Sequence, residues 1–548
     1  MTSRHPRRRH ADWPSFVLHW LVAASVLVAA STGLRMAADH LDVWRSSGVF
    51  ALISPRLPQG PVFDWHVRNG LVLVVLVLVY VGLVGLGQGR VRWQARQRGR
   101  SGAARLGYML HWVLAGLLVT QILSGLCLLF EWPQAATPTL ARVHGLAACG
   151  LVLAVLLHVV VYLAEGGLLR LTAMLWPRPV GGRRALLALA LVGAVGLGLN
   201  LLEGRLTQTL EVPEVRFRTF RLDGIADEPL WAVAPKRVVV ARRGGASASL
   251  AVPLTVQAAH DRRRIFVRVS WPDDRPSLKH LPLVRGESAW TVLHDGYAVS
   301  DERTWYEDKL ALVWTAPETG VAASMRAAVH LGPQALGVPS APHGRGAHAS
   351  SRLLDLWHWK AVRTDIMDLA EDESIHRPLP CSACDISYSG GIRPDPKTAG
   401  GYASNWEYFN PQGVTPRRLP LSADLAGVFD ETANDGLPQA YGSMRWLESM
   451  PWRATHDTFA PGTALPSWLR LGDYEGDIAQ VAAKGAWRDG VWTVEFSRFL
   501  DTDSPYDVRI ATGSLLWLAP FDHAQARHGY HLRPLRLVFG EKPVEALE

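Results

Sequence analysis

Between Arg142 and Glu165 the chain reads RVHGLAACGLVLAVLLHVVVYLAE, an interior that is apolar except for two histidines, His144 and His158. A helix with a rise of about 1.5 Å and a turn of about 100° per residue sets them roughly 21 Å apart and within about 40° of one face. A membrane helix with one imidazole near each end of one face can ligate two stacked haems, one toward each leaflet. Ionisable and metal-binding side chains are expensive in hydrocarbon and as a rule functional. The plainer reading is a pair of histidines that pack helices together.

This stretch is one of several. The chain has 548 residues, too many for one ordinary core, and its apolar residues are concentrated before Glu203. Helices are predicted over about 14–37, 64–87, 106–130 and 142–164, with a fifth span over about 184–203 that carries no histidine. The formal charge of +8 matters less than its placement. Arg4, Arg7, Arg8 and Arg9 precede the first span. Arg90, Arg92, Arg96, Arg98, Arg100 and Arg105 fill the gap after the second, and Arg170, Arg178, Arg183 and Arg184 precede the fifth. Arginines in alternate gaps follow the positive-inside rule and do not form a nucleic-acid footprint. The expected topology has a cytoplasmic N-terminus, five crossings of a bacterial inner membrane and a periplasmic C-terminal half. A four-crossing rival needs 184–203 to lie flat, and that segment has no polar face.

Depth then sorts the histidines. His19 lies at the inner side of the first helix, and His66 opens the second from outside. His144 opens the fourth from outside and His158 closes it inside. The levels pair His66 with His144 and His19 with His158, giving two bis-imidazole sites for b-type haem. His111, in LGYMLHW, lies near the inner side as well. It competes for that site or contacts a haem propionate or a quinone.

Carrying these histidines, helices one to four resemble the di-haem cytochrome b subunits of membrane hydrogenases and formate dehydrogenases, over roughly residues 12–175. The resemblance implies quinone exchange near one haem and electron exchange with a periplasmic partner at the other. His111 and the long basic second cytoplasmic gap depart from the pattern.

From about Gln208 the text changes to short alternating stretches. SLAVPLTVQAAH (249–260), RIFVRVSW (264–271), KLALVWTA (309–316), GVWTVEFSRFL (490–500), DVRIATGSLLWLAPFD (507–522) and LRPLRLVFG (532–540) read as strands of an antiparallel β-sandwich. Residues 330–489 read as long ordered loops, with no tandem repeat in this half. The predicted architecture is a four-helix di-haem cytochrome b bundle (1–175), a fifth transmembrane helix with linker (176–207) and a periplasmic antiparallel β-sandwich with long loops (208–548).

WPDDRPS (271–277), YEDKLALVW (306–314), DLWHWKA (355–361), SGGIRPDPKTAGGY (389–402), GDIAQVAAKGAWRDGVWTVEFSRFL (476–500) and FDHAQARH (521–528) resemble, in that order, the haem-binding domain of the ethylbenzene dehydrogenase and dimethyl-sulfide dehydrogenase gamma subunits. The resemblance implies a sandwich holding one b haem, with methionine and lysine as axial ligands in the gamma subunits. Many relatives carry Cys-x-x-Cys-His after the strand matching KLALVWTA, where this chain reads AASMRAAVH. Met325 and His330 are candidates there, opposite His358 or Lys360, with His294 and His528 in reserve. A haem-free sandwich that serves docking is the alternative.

Cys127 and Cys149 read as small packing residues. Cys381 and Cys384 form CSACD, with Asp385 where an attachment motif would place histidine. The pair reads as a disulfide or two bare thiols. No nucleotide loop, zinc-protease motif or nucleophile elbow stands out, so no catalytic residue for an organic substrate is assigned. The expected role is an electron-transfer subunit between the quinone pool and a periplasmic molybdenum/iron–sulfur enzyme or multihaem cytochrome, acting on quinone as part of a complex. A homodimer and a membrane-anchored sensor, assembly or docking protein are the other expectations.

Overall fold

The computed structural model divides the chain into two compact units, one before Thr207 and one from Thr207 onward. It describes residues 13–40, 62–86, 102–129 and 137–175 of the first and most of 207–545 of the second. Segments 217–219, 244–250, 298–301, 318–328, 332–346, 350–352, 376–391, 407–412 and 430–441 lie outside the described residues.

The first unit is helical: α1 (Trp13–His40), α2 (Val62–Leu86), α3 (Gly102–Leu129) and α4 (Thr137–Leu175). In hydrocarbon every backbone group must be bonded within its own segment, so apolar runs of this length form helices despite their valines. α1 packs on α2 and α3 on α4. Polar side chains join each pair. The Asn69 amide donates to the Ser25 carbonyl (2.8 Å), and that of Gln121 donates to the His144 carbonyl (2.6 Å). Large apolar residues such as Leu27, Leu78, Leu146 and Leu153 point outward, as on helices solvated by lipid. Three stretches, Val17–Leu34, Met109–Leu129 and Thr139–Ala164, are long and apolar enough to cross a membrane, and Trp65–Tyr80 is a shorter apolar helix. The unit is therefore a membrane region of several helices. The fifth predicted span falls outside the described residues, apart from the isolated position 190.

The second unit is β-structure. Its main strands are β1 (Thr209–Arg216), β2 (Arg237–Arg243), β3 (Ala251–His260), β4 (Arg264–Pro272), β5 (Lys309–Trp314), β6 (Leu354–Lys360), β7 (Leu369–Ile375), β8 (Val481–Arg488), β9 (Val491–Phe499), β10 (Leu515–Phe521) and β11 (Leu535–Glu545). Among the described residues, ten of them close into a ring in the order β1-β11-β10-β5-β6-β7-β8-β9-β4-β3, and β3 returns to β1. The predicted antiparallel β-structure is present, but as a closed barrel in place of two facing sheets. The closing strand β1 runs parallel to both neighbours, with Thr209 opposite Arg536 and Glu214 opposite His260. A bulge around Pro213 shifts its register along β11, at a residue with no N–H to give to the ladder.

Inside the barrel Trp271, Trp314, Trp357, Trp359 and Trp492 pack with Val, Leu and Phe from every side. The expectation of loops throughout 330–489 is corrected here, because β6, β7 and β8 all come from that stretch. β7 reads LAEDESI, with acids on both faces that erase the two-residue hydrophobic period. Conversely, 507–514, expected as strand, is turn and loop up to Gly513, which sits at φ +97.

Candidate functional site

In the helical unit the structure brings His66 of α2 and His144 of α4 together, with ring centroids 6.2 Å apart. Each imidazole is held through Nδ1 by a hydroxyl of the preceding helix. Thr32 Oγ1 lies 3.0 Å from His66 Nδ1, and Ser124 Oγ lies 2.8 Å from His144 Nδ1. Each hydroxyl also donates to a carbonyl one turn back, Val28 and Thr120, at 2.6 Å. A hydroxyl has one proton. With that proton committed to the carbonyl, its oxygen accepts from imidazole Nδ1–H, and Nε2 is the nitrogen left for a metal.

Two glycines complete the cradle. A Cβ on Gly33 would meet His66 Cε1 at 3.2 Å, and one on Gly125 would meet His144 Cε1 at the same distance. Gly116, by contrast, has nothing within 4 Å of that position. An iron bound by two imidazoles at about 2 Å each needs ring centroids roughly 6 Å apart. The residues present fit a bis-imidazole haem.

Thr32 and Ser124 were not among the sequence candidates, although a signal exists. His19-Trp20 followed by Thr32-Gly33-Leu34 in α1 recurs in α3 as His111-Trp112 followed by Ser124-Gly125-Leu126, with the same spacing. A candidate ligand, His66 or His144, then stands near the start of the next helix of each pair. The α1–α2 and α3–α4 hairpins read as two copies of one unit.

At the other level His158 meets His111, with ring centroids 5.1 Å apart, and Tyr162 at 6.3 Å. His111 Nδ1 donates to the Gly107 carbonyl at 2.9 Å. His19 packs edge-on to Trp20 at 5.8 Å.

The barrel unit carries a second candidate site on the outward face of β5, β6 and β7. Side chains alternate along a strand, so Trp357 and Trp359 enter the core while Leu354, Leu356, His358 and Lys360 face out. His358 is paired in register with Ala311 and Glu371, and Lys360 with Lys309. His358 Nδ1 lies 3.2 Å from Glu373 Oε2, while its Nε2 is buried with no hydrogen-bond partner. Burial, followed by the charges of Lys360 and Lys309, pulls its pKa well down and keeps the ring neutral. A neutral imidazole with Nδ1–H on a carboxylate and a free, buried Nε2 suits a metal or haem iron.

Lys360 is placed differently. Glu371 holds its ammonium, which also lies 3.1 Å from the Tyr402 hydroxyl. Burial opposes its charge, yet Glu371 raises the pKa above the usual value. Lys360 therefore presents a paired cation and no lone pair. Lys309, outside the sequence candidates, is 2% exposed. It donates to the Gln525 carbonyl at 2.8 Å and lies 4.1 Å from the centre of the Phe521 ring. Burial, then Arg363 and Lys360, lowers its pKa well below the usual range, toward a neutral amine. Oxygen and nitrogen atoms of His358, Glu371 and Glu373 lie within 4.8 Å of one another, but the Lys360 ammonium already neutralises Glu371 there.

Behind Lys360 a buried triad fixes the start of the following turn. Glu307 accepts from Arg363 Nε and from the Arg363 backbone N–H (3.0 Å), and its Oε1 lies 2.9 Å from His280 Nδ1. Burial would raise its pKa, but Arg363 and His280 hold it far below the usual carboxylate range.

Of the other candidates, His528 stands one ring beyond His358, with Phe521 between them at 5.5 and 5.2 Å. His294 lies on the exposed surface. His330 belongs to a short strand, Val329–Leu331, paired with Ala347–Ala349. Met325, Cys381 and Cys384 lie outside the described residues. Cys127 and Cys149 are free thiols.

Residues 10–177 match the family model described as prokaryotic cytochrome b561, and residues 225–533 match the model described as ethylbenzene dehydrogenase. Comparison with curated proteins gives no match. Two solved structures show weak similarity. A carbohydrate binding module family 9 from Caldicellulosiruptor kristjanssonii in complex with cellotriose shares 8% identity over 61% of this chain and 95% of its own, at a TM-score of 0.22. A protein from Bacteroides uniformis described as carbohydrate-binding shares 8% over 62% of this chain and 95% of its own, at 0.21. At these scores neither carries an argument. The two family matches support a role in electron transfer, and the chain belongs to the ethylbenzene dehydrogenase family, with an N-terminal region of the prokaryotic cytochrome b561 type.

Proposed function

We propose that the chain is a membrane-bound cytochrome that passes electrons between the quinone pool and a redox partner at its C-terminal domain. The observation that carries this reading is the His66–His144 pair, two imidazoles 6.2 Å apart, each with Nδ1 held by a hydroxyl and Nε2 left for iron. His66 and His144 would hold one b haem, and His158 with His19 or His111 a second. A haem held there by neutral imidazoles would supply one-electron exchange. Around it Thr32 and Ser124 orient the ligands, while Gly33 and Gly125 let the rings lie against the helix backbone.

In the barrel His358 is the side chain best disposed toward a further haem. Its Nε2 is buried and uncommitted, and the apolar cluster of Ala311, Leu354, Leu356, Ile375 and Phe521 adjoins it. The arginine-rich gaps favour a cytoplasmic N-terminus and a periplasmic barrel, in the inner membrane of a bacterium with a fifth span over 184–203. The partner suggested by the resemblance is a molybdenum/iron–sulfur enzyme or a multihaem cytochrome, and a homodimer through the helices is compatible with it.

Haem content settles the reading. Pyridine-haemochrome assay of full-length protein from haem-replete cells is expected to give at least two b haems per chain. His66→Ala and His144→Ala are expected to remove the same one, and His358→Ala a different one. A colourless wild-type protein, or histidine variants that keep full haem content, would overturn it.

A further inference from the structure

The inward faces of β6 and β7 carry a second group of ionisable side chains that the proposed electron route does not use. Asp355 and Asp372 alternate with the outward His358, Glu371 and Glu373 and so turn into the barrel. Asp395, just after the short strand Ile392–Pro394, and Asp507, from the loop between β9 and β10, close in on them. Asp355 and Asp372 are 0% exposed, Asp395 is 3% exposed and the Asp507 side chain 2%. Among the described residues the cation in contact with them is Arg498, itself 0% exposed. It donates through Nη1 to Asp355, and this nitrogen lies 3.5 Å from Asp507 and 3.7 Å from Asp372. Its Nη2 is committed to the Val508 carbonyl at 2.9 Å.

Hydrogen bonds satisfy part of this charge. Ser374 Oγ donates to Asp395 at 3.0 Å, Thr502 Oγ1 to Asp507 at 2.5 Å and the Val508 N–H to Asp355 at 3.2 Å. Asp355 Oδ1, both oxygens of Asp372, Asp395 Oδ2 and Asp507 Oδ1 receive no hydrogen bond. Asp372 is thus wholly buried, aimed at its neighbours and without a donor. Carboxyl oxygens of Asp355, Asp372 and Asp507 lie within 4.8 Å of one another, the span of oxygens around one ion bound at about 2.3–2.6 Å.

We propose that Asp355, Asp372 and Asp507 bind a divalent cation of the calcium type, with Asp395 beside it. Four buried carboxylates against one guanidinium leave three negative charges uncompensated, and burial of an unpaired ion is strongly unfavourable. A dication reduces that excess to one. The donors are all oxygen, which selects hard cations. Magnesium retains several waters, whereas these side chains are closed off from solvent, and this favours calcium. The ion would fasten β6, β7, the segment after Ile392–Pro394 and the β9–β10 loop at one point. It would thereby stiffen the strand pair whose other face carries His358. The inference does not depend on haem being bound. Without the ion the cluster must take up protons instead.

The test uses full-length protein in mild detergent, stripped with EGTA and exchanged into calcium-free buffer. Calcium chloride, and magnesium chloride in parallel, are added back while bound metal is measured by mass spectrometry and unfolding by thermal denaturation. The expected result is one calcium per chain and a rise in Tm that magnesium does not reproduce, both lost in Asp372→Asn. Asp507→Asn serves as a second variant if the first fails to fold. Absence of calcium binding in the stripped wild type overturns the proposal. So does equal binding by wild type and both variants, which places the metal elsewhere. A chelated Asp372→Asn more stable than wild type, with no response to calcium, also overturns it and identifies a self-contained, proton-sharing acid cluster.

Discussion

Replacing Thr32 by Val removes one oxygen from the His66–His144 cradle and nearly preserves side-chain volume. Thr32 is 1% exposed, so no solvent water takes the place of its hydroxyl. Its own proton bonds the Val28 carbonyl at 2.6 Å, so the bond lost to the ligand is the one accepted from His66 Nδ1–H at 3.0 Å. A buried donor left unsatisfied costs about 1–3 kcal/mol, and about 1.4 kcal/mol is a factor of ten. The variant is therefore expected to hold one of its membrane haems about tenfold more weakly. Ser124→Ala is expected to weaken the same haem by a similar factor, through His144. Haem transfer from detergent-solubilised protein to excess apomyoglobin measures this directly, and low-temperature spectra report the altered ligand field of the haem that remains. Thr32→Ser should restore wild-type retention. Ser31→Ala is the control, since its hydroxyl bonds the Val28 carbonyl at 3.1 Å within the same helix. Wild-type retention and an unchanged spectrum in Thr32→Val would show that the hydroxyl does not position the ligand.

The barrel supplies further tests. Gly485→Ala places a methyl group against the flat Trp359 ring, which is buried among other tryptophans and cannot withdraw. A loss of about 1–3 kcal/mol in denaturant titration is expected, and unchanged stability would mean that the ring has room to move. Glu307→Gln leaves the buried Arg363 with no carboxylate, for an expected loss of about 3–5 kcal/mol. A drop in Tm no larger than that of a surface variant such as Glu287→Gln would count against the triad. His531 accepts the Leu518 N–H at 2.9 Å and donates to the Arg533 carbonyl at 2.6 Å, and burial lowers its pKa to about 4. The unfolded chain takes up that proton first as pH falls below about 6.5. The stabilisation from neutral His531 is thus complete above that pH and declines by about 1.4 kcal/mol per unit toward pH 4. The stability difference between wild type and His531→Gln should narrow by about 2 kcal/mol from pH 7 to pH 5, and a constant difference would refute the sign.

What the amino-acid order determines by itself is local. Continuous apolar runs specify helices, because in lipid no other backbone arrangement satisfies its own hydrogen bonds, and α1 to α4 appear where those runs lie. Alternation specifies β3, β4, β5 and β9 in the same way, one buried face at a time. His66 and His144 are legible as partners, since each stands near one end of an apolar helix and depth follows from position. What only the tertiary structure decides is which polar atoms meet. The hydroxyls of Thr32 and Ser124 look like ordinary helix residues until packing sets them on imidazoles 34 and 20 residues away. Lys360 reads as a free ligand until Glu371 from the next strand takes its proton-bearing nitrogen. β7 stays hidden because its acids are buried on both faces, and burial of charge is affordable only with partners. Asp355 finds one in Arg498, 143 residues along the chain. Apolar burial is summed over a segment and leaves a periodic trace. A buried charge is stabilised by one or two specific groups, brought from distant strands by closure of the barrel.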